Sequence, residues 1–364
     1  MNVGVIGAGI ISEIYLKNMT EFFPNLRVLG VAARHLERAQ RRAAQFGLRA
    51  YTVGELLADP QIEMVVILTP VGTHYDLIRR SLLAGKHVYT EKTIADSLDK
   101  ARRLCALAEE KGLCLGSAPD TFLGSALQSV RQAIDQKLLG EVNSFAISVH
   151  RNNSYLLSRY PFLLEPGAGV LLDFCVYYVT ALASLFGPFA RVGGITGAPY
   201  QTHPCTLPGP DFGKILHSPN ESQVSAVLQT RGGVTGTFHI DSESNTVGTP
   251  FFAIYGTEGI LRLPDPDYFG GQVLFYPNAL EGELPPRVLP QGNPYSSNFR
   301  GIGPAEMAQA IAEGRPNRAS KEMALHVLEV LTALLEIGKT GGFAAVATDF
   351  SQPAPLREVL SGQK

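Results

Sequence analysis

The first residues with a recognisable chemical purpose form a glycine-rich turn close to the start of the chain. Gly7, Gly9 and Ser12 follow a short apolar segment and precede an amphipathic one, as expected where a buried strand turns into a helix. The first glycine permits a tight turn, the second lets backbone N–H groups approach a phosphate, and the small third residue allows close packing of helix on strand. The spacing predicts a pyrophosphate-binding turn, with Gly7, Gly9, Ile10 and Ile11 as its contacts.

The end of the second predicted strand indicates which dinucleotide would bind. Sites for NAD usually place an acidic side chain there, which accepts hydrogen bonds from the adenine ribose. This chain instead has Ala33-Arg34, and a guanidinium can pair bidentately with a 2′-phosphate and stack on adenine. Arg38, one helical turn later, could add a second cation. NADP is therefore favoured, while NAD binding and a plain helix-start role for Arg34 remain the alternatives.

The loop after the next predicted strand contains Thr69-Pro70 and Thr73-His74. Ligands of open α/β sheets bind along the carboxyl edge of the strands, so this loop is expected to pass beneath the cofactor. The imidazole of His74 is either a catalytic group or a helix-start side chain with local hydrogen bonds.

Glu91 and Lys92 follow the strand predicted at 87–90, at the same edge of the sheet. A lysine there can donate a hydrogen bond to a substrate hydroxyl or carbonyl and stabilise developing alkoxide charge. The alternative is a surface lysine paired with its neighbouring glutamate.

The elements that must position these residues alternate between strand and helix over the first 120 residues. Apolar runs predict strands at 3–6, 28–32, 65–68, 87–90 and 113–116, and helical spacing predicts helices at 11–22, 35–46, 75–84 and 95–111. This alternation is typical of a parallel, doubly wound sheet. We therefore predict an α/β Rossmann domain for NADP(H) over residues 1–120.

A different pattern begins after Pro119. Helices are predicted at 123–138, 169–186, 304–313 and 321–338, and strands at 142–150, 224–229, 235–241, 251–255 and 260–263. Strands in a run, joined by glycine turns, predict a large and mostly antiparallel sheet with helices on one face. Residues 121–364 are thus predicted to form an α+β domain for substrate binding and oligomerisation.

Composition excludes several classes of partner. The 364 residues exceed what one core usually holds, and the 45% hydrophobic and 18% charged content is that of an ordinary globular protein. A net charge of −2 provides no long-range field for nucleic acid or an anionic membrane. No apolar run approaches the roughly 18 residues of a membrane span. The four cysteines lack zinc-site spacing, so no metal is expected, and a cytoplasmic location is expected because no targeting segment is evident.

Several short segments also occur in a characteristic order. They are Gly-Val-Ile-Gly-Ala-Gly at 4–9, the loop at 69–74, Gly-Lys-His-Val at 85–88 leading to Glu91-Lys92, Gly-Glu-Val at 140–142, Gly-Ala-Gly at 167–169 leading to Asp173, Tyr-Gly-Thr-Glu-Gly at 255–259, Gly-Arg-Pro at 314–316 and Ala-Leu-His at 324–326. Together they make the chain resemble the glucose–fructose oxidoreductase and inositol dehydrogenase (Gfo/Idh/MocA) family over essentially its whole length. The resemblance implies a homodimer or homotetramer that associates through the open face of the second domain's sheet.

The resemblance also assigns roles to three residues. Lys92 matches the catalytic lysine of the family's Glu-Lys-Pro motif, although Thr93 replaces the proline. Many members carry Asp-x-Gly-x-His, and this chain has Asp173 and Tyr177 at the first and last positions, with Cys175 in place of glycine. Four residues apart, Asp173 and Tyr177 are expected on one face of a helix. Dimeric dihydrodiol dehydrogenases and related NADP-linked sugar dehydrogenases are similar in having this tyrosine and in lacking the acid after the second strand.

These observations predict an oxidoreductase that transfers a hydride between NADP(H) and a carbinol or carbonyl carbon of a sugar-like, cyclitol or diol substrate. Lys92 would polarise the reacting oxygen, Tyr177 would carry the proton, and Asp173 would bind a substrate hydroxyl or hold Lys92. Tyr177 as a core aromatic is the alternative. The polar loop from Arg151-Asn152-Asn153 to Arg159-Tyr160-Pro161 suits a polyhydroxylated substrate or is simply a surface loop. Two other functions stay open: redox-assisted glycoside cleavage with retained cofactor, and a non-catalytic regulator that senses the dinucleotide.

Overall fold

The computed structural model describes residues 1–152, 154–244, 250–278 and 284–360, so Asn153 of the polar loop lies outside the described residues. Internal contacts divide the chain into two units. The first comprises Met1–Gly124, Asn293–Leu325 and Pro353–Lys364, and the second comprises Ser125–Gly292 and His326–Gln352. This division differs from the sequence-based one at 120 because two later segments pack with the first unit. No local sequence pattern indicates that a chain leaves one unit and later returns to it.

The first unit contains six parallel strands in the order β3-β2-β1-β4-β5-β6. The strands are β1 (Asn2–Ile6), β2 (Arg27–Ala32), β3 (Arg49–Tyr51), β4 (Met64–Ile67), β5 (His87–Thr90) and β6 (Leu115–Ser117), and the helices among them are α1 (Ile11–Glu21), α2 (Leu36–Gln45), α3 (Val53–Ala58), α4 (His74–Leu83) and α5 (Leu98–Lys111). The strand order reverses between β1 and β4, and ligands of such sheets bind in the crevice at that point. The predicted parallel, doubly wound fold is confirmed.

Two short elements of this unit are missing from the sequence-based prediction. Strand β3 has only three residues, too few for periodicity to show. Helix α3 begins with a capping box, in which the Thr52 side chain accepts from the Glu55 N–H at 3.2 Å and the Glu55 carboxylate accepts from the Thr52 N–H at 2.8 Å. The Thr-x-x-Glu spacing was a readable signal for this helix.

The later segments of the first unit include helix α9 (Ile302–Glu313). Asp120, a buried residue at the end of the Rossmann segment, holds the start of this helix because its Oδ2 accepts from the N–H groups of Gly301 and Gly303, both at 3.1 Å. Within the same helix, the fully buried Glu306 accepts from Nη1 of Arg315 and of Arg318, which follow the helix, both at 2.6 Å.

The second unit is built on nine strands in the order β16-β15-β14-β13-β7-β12-β11-β8-β17. They are β7 (Val142–His150), β8 (Phe189–Gly197), β11 (Gln223–Thr230), β12 (Thr235–Asp241), β13 (Phe251–Gly256), β14 (Gly259–Arg262), β15 (Leu274–Pro277), β16 (Arg287–Val288) and β17 (Phe343–Ala345), with a separate hairpin of β9 (Thr202–Pro204) and β10 (Ile215–His217). Neighbouring strands run antiparallel except for β7 and β12. The predicted large, mostly antiparallel sheet is confirmed.

One face of this sheet is buried and the other is exposed. In β11, Val224, Ala226 and Leu228 are buried, whereas Ser225 and Val227 between them are exposed. The helices are α6 (Ser125–Asp135), α7 (Ser154–Arg159), α8 (Val176–Phe186) and α10 (Lys321–Ile337), the last of which begins in the first unit. Helix α8 covers the buried face, where the ring of its Tyr178 lies 6.2 Å from Phe238 and 6.1 Å from Phe252. Among the described residues, no helix has the length and apolar character needed to cross a membrane.

The segment predicted as one helix over 169–186 differs from that expectation. Leu171–Cys175 forms a π-helical turn, and a regular α-helix begins only at Val176. Asp173 therefore lies on the π turn and Tyr177 on α8, so the expected i,i+4 relation within one α-helix is wrong. Such π turns are frequent at functional sites because they change the direction in which side chains project.

Candidate active site

The glycine turn lies between the end of β1 and the start of α1. Gly7 has a φ of +127° and donates its N–H to Ala32 O at 2.8 Å. A Cβ on Gly7 would lie 2.5 Å from the carbonyl oxygen of Leu68, so no larger residue fits there without a shift of the backbone. The requirement for glycine at this position is therefore conformational as well as steric.

The start of α1 leaves backbone donors available to an anion. Ile10, at the N-cap, makes no side-chain capping bond, and Ser12 Oγ donates to Gly9 O at 2.7 Å, which closes the turn. A Cβ on Gly9 would meet no atom within 4 Å, so the space above the turn is open. An uncapped helix start beside open space fits a pyrophosphate, which Gly9, Ile10 and Ile11 would hold through their N–H groups.

Arg34 and Arg38 are exposed near the end of β2 and the start of α2, and Ala33 beside them is half-buried. Within the part of the chain that the structure describes, neither guanidinium makes a hydrogen bond or an ion pair, so both are available to a ligand. Sequence reasoning missed Arg42 on the same helix. Its guanidinium donates to Gly9 O at 3.2 Å and to Glu13 Oε2 at 2.9 Å, which ties α2 to the glycine turn. Arg42 follows Arg38 by four residues, which puts the two on one face of a helix, and this spacing could have identified Arg42 from the sequence.

The loop after β4 turns back at the carboxyl edge of the sheet. Thr69 is half-buried, Pro70 and Thr73 are exposed, and Thr73 Oγ1 donates to Pro70 O at 2.8 Å. His74 begins α4 and its ring is fully buried, which favours the expected helix-start role with local hydrogen bonds, and its role as a cofactor contact or catalytic group stays a prediction. Nδ1 lies 2.7 Å from Thr93 O and Nε2 lies 2.8 Å from Thr69 O, so His74 joins two loops of the site. Burial lowers the pKa of His74, against the opposing effect of the two carbonyl oxygens.

Lys92 lies at the carboxyl end of β5, half-buried, and its peptide bond to Thr93 is cis although threonine replaces proline. The Glu91 carboxylate accepts from the Lys92 N–H at 3.1 Å and from Tyr15 Oη at 2.8 Å. Tyr15 is fully buried on α1 and was not found from the sequence, because its contact with Glu91 spans 76 positions. Burial raises the pKa of the nearby Asp120 to about 6.

The other assigned residues belong to the second unit, whereas Lys92 belongs to the first. Asp173 and Tyr177 are both half-buried, and Cys175 between them is fully buried, with burial raising the pKa of its thiol. Arg151, just after β7, places its guanidinium carbon 3.5 Å from the ring centroid of Phe174. Among the described residues, no group of three His, Cys, Asp or Glu side chains is arranged to hold a metal ion.

The strand order, the open glycine turn and the lysine at the end of β5 define a dinucleotide-binding oxidoreductase. Residues 1–118 match the model of an oxidoreductase family with a NAD-binding Rossmann fold, and residues 127–262 match the GFO/IDH/MocA C-terminal domain. The chain belongs to the Gfo/Idh/MocA family of oxidoreductases.

The relatives of this chain differ in how much of their sequence aligns with it. Mouse trans-1,2-dihydrobenzene-1,2-diol dehydrogenase is 27% identical over 79% of this chain and 80% of its own. Bacillus subtilis scyllo-inositol 2-dehydrogenase (NADP(+)) IolW is 22% identical over 93% and 94%. An uncharacterized oxidoreductase of Schizosaccharomyces pombe is 29% identical over 51% of this chain and 52% of its own length.

Solved structures show the same fold at low sequence identity. A NAD-binding oxidoreductase from Klebsiella pneumoniae has a TM-score of 0.82 at 21% identity, covering 96% of this chain and 100% of its own. A levoglucosan dehydrogenase in complex with NADH has a TM-score of 0.81 at 20% identity, covering 96% and 99%.

Proposed function

We propose that the protein is an NADP(H)-dependent dehydrogenase or reductase that acts on the CH–OH or carbonyl carbon of a sugar-like, cyclitol or diol substrate. The observation that carries this proposal is the fixed position of Lys92 on the same sheet edge as the open glycine turn. Bound NADP(H) would supply or accept the hydride at C4 of its nicotinamide. The names of the diol and inositol dehydrogenases among the relatives support the substrate class.

Three side chains would do the work around the reacting oxygen. The ammonium group of Lys92 donates a hydrogen bond to that oxygen and stabilises its developing negative charge. The phenol of Tyr177 carries the proton that accompanies oxidation or reduction of the carbon. The carboxylate of Asp173 accepts a hydrogen bond from a substrate hydroxyl or holds Lys92 in place.

The first test compares Lys92→Met with the wild-type protein in NADPH oxidation and NADP⁺ reduction on a panel of sugars, cyclitols and diols. We expect kcat to fall by about 10²- to 10⁴-fold, the usual contribution of a positioned proton donor, while NADP⁺ still binds. Lys111→Met, an exposed helix residue, is the matched control. Unchanged turnover in Lys92→Met would contradict the proposal, and turnover without net NADPH change would favour a retained cofactor.

Selection of NADP over NAD is the finer part of the proposal. The support is the pair of guanidinium groups at Arg34 and Arg38, which have no partner among the described residues, and the presence of Ala33 where NAD sites usually have an acid. Titration of each cofactor against Arg34→Ala should show about 10- to 100-fold weaker NADP⁺ binding with little change for NAD⁺, because a charged hydrogen-bonded pair is lost. Arg41→Ala, exposed on the same helix, should change neither affinity. Tighter binding of NAD⁺ than of NADP⁺ by the wild type would overturn this part.

We also infer association of identical copies through the exposed face of the nine-stranded sheet. Phe343, Ile195 and Val227 on adjacent strands of that face are 70%, 62% and 43% exposed, and neighbouring apolar groups of this kind are typical of interfaces. The register places all three on one face, because Phe343 and Val227 both pair with Gly193, two residues from Ile195.

A cytoplasmic location belongs to the same proposal and is supported by four free cysteines.

A further inference from the structure

A pocket in the second unit collects charged side chains from four parts of the chain. Arg151 follows β7, Asp173 lies on the π turn, His203 lies on β9 and Glu243 follows β12. The pocket is an open cleft, and its empty space of about 410 Å³ includes the solvent at its mouth.

Arg151 is the cation of this pocket. Its backbone N–H donates to Asp241 O at 2.8 Å, and its guanidinium lies over the ring of Phe174, with 3.5 Å between the central carbon and the ring centroid. Its side chain makes no hydrogen bond or ion pair with any residue in the described part of the chain, and its Nε is buried without a partner. Burial lowers the pKa of Arg151, while Asp173 and Asp267 oppose that change.

Arg151 is half-buried, and a buried donor such as its Nε is costly unless something supplies an acceptor. Stacking on Phe174 fixes the orientation of the group without using its N–H donors. The side chain is therefore already oriented to bind the oxygen atoms of a ligand in the pocket.

The charges of the other residues that line the pocket indicate which kind of ligand oxygen Arg151 would bind. Three carboxylates, those of Asp173, Glu221 and Glu243, line the same pocket as the single guanidinium. Glu221 Oε1 accepts from the Leu171 N–H at 3.0 Å, and Glu243 Oε1 lies 3.8 Å from His203 Nε2. An anionic ligand would meet this excess of negative charge. A hydroxyl group can instead accept from Arg151 and donate to a carboxylate.

Resting on the proposed function, we propose that Arg151 is a specificity-determining residue that binds hydroxyl groups of a neutral polyol, and that the surrounding carboxylates exclude acidic sugars. The pairing of one donor group with several acceptors suits neighbouring hydroxyls of one sugar or cyclitol ring. Discrimination then depends on charge as well as on shape.

The test measures binding by calorimetry to the NADP⁺-loaded protein, with glucose, xylose and myo-inositol as neutral probes and glucuronate and gluconate as acidic ones. We expect at least one neutral probe to bind at least about tenfold more tightly than either acid, given repulsion from nearby carboxylates. Arg151→Met should weaken neutral-probe binding about 10- to 100-fold, since hydrogen bonds to a charged group are lost. Arg287→Met is the control: it removes an arginine that lies near the Phe275 ring, outside the pocket. It should leave the affinity for every probe unchanged.

Two further variants keep the result interpretable if Arg151→Met unfolds. Arg151→Lys keeps the charge but loses the planar donors, and we expect an intermediate loss of affinity. Glu243→Gln removes one negative charge. It should therefore reduce the ratio of the glucose affinity to the glucuronate affinity about fivefold. Tighter binding of the acids, or no binding of any neutral probe, would overturn the inference. Neutral-probe binding that depends on Arg151 without any hydride transfer would instead overturn the proposed function and leave the inference standing.

Discussion

At the scale of single residues, two contacts fix the backbone on either side of the Lys92 peptide. The Glu91 carboxylate accepts from the Lys92 N–H at 3.1 Å, and the imidazole of His74 lies 2.7 Å from Thr93 O. Glu91 is itself held by the buried hydroxyl of Tyr15 at 2.8 Å. The Tyr15 hydroxyl thus helps to hold the carboxylate that accepts from the Lys92 backbone, and within the proposed function Tyr15 is a positioning residue.

Tyr15→Phe should lower kcat about tenfold, equal to a rise of about 1.4 kcal/mol in the activation barrier, because the Glu91 carboxylate loses one of its two donors. The KM for NADP⁺ should stay within about twofold, since the glycine turn is untouched. Steady-state kinetics with separate kcat and KM values make the measurement, and Tyr75→Phe on the half-buried start of α4 is the control. A lower melting temperature with unchanged kcat would show that the hydroxyl matters only for folding.

At the scale of elements, apolar periodicity in the sequence predicts most strands and helices of the first unit. It also predicts those site residues that lie in the turn after a single strand. Gly7 and Lys92 could be placed because Gly7 directly follows β1 and Lys92 comes two residues after β5, and the apolar run of each strand is plain in the sequence. Tyr15 could not be placed, since its contact is with a residue far along the chain. The sequence puts Arg151 in a polar loop suited to a polyhydroxylated substrate, but it could not show the pocket around it, which several segments form. Strand β8 was also missed because Gly193, Gly194 and Gly197 dilute its pattern.

The C-terminal part of the first unit depends on one buried carboxylate on α9. Glu306→Gln should lower the free energy of unfolding by about 3–5 kcal/mol, because the guanidinium groups of Arg315 and Arg318 lose their shared anion. Urea unfolding at neutral pH measures this change. Glu313→Gln, whose carboxylate is 43% exposed and also pairs with Arg315, should cost at most about 1 kcal/mol. Equal effects of the two substitutions would contradict the assignment.

At the scale of the whole molecule, acid stability should depend on His326. Its Nε2 accepts from the Phe189 N–H at 2.8 Å, and Nδ1 faces Thr348 Oγ1 at 3.0 Å, so the neutral ring satisfies both contacts. Burial lowers the pKa of His326 from 6.5 to about 4. Because the folded-state pKa is depressed, the stabilisation is complete above the unfolded pKa and is lost as pH falls from about 6.5 towards 4.

The lost stabilisation should amount to about 3 kcal/mol, from about 1.36 kcal/mol for each pKa unit. Urea unfolding at several pH values between 4 and 7 should show this slope in the wild type and a flatter one in His326→Gln. His217→Gln, at an exposed position on β10, should keep the wild-type slope. An unchanged slope in His326→Gln would assign the acid sensitivity to other groups.

The exposed face of the large sheet gives the last prediction. Val227 lies in the middle of β11, and its side chain is 43% exposed, so Val227→Lys should change the stability of an isolated copy by no more than about 0.5 kcal/mol. In an interface between copies, the same lysine would bury an unpaired charge, which strongly disfavours association. Light scattering after size exclusion should therefore show a dimer or tetramer for the wild type and a monomer for Val227→Lys. Val359→Lys, 62% exposed in the first unit, should keep the wild-type mass. A monomeric wild type, or a variant that remains assembled, would show that this face is not where copies meet.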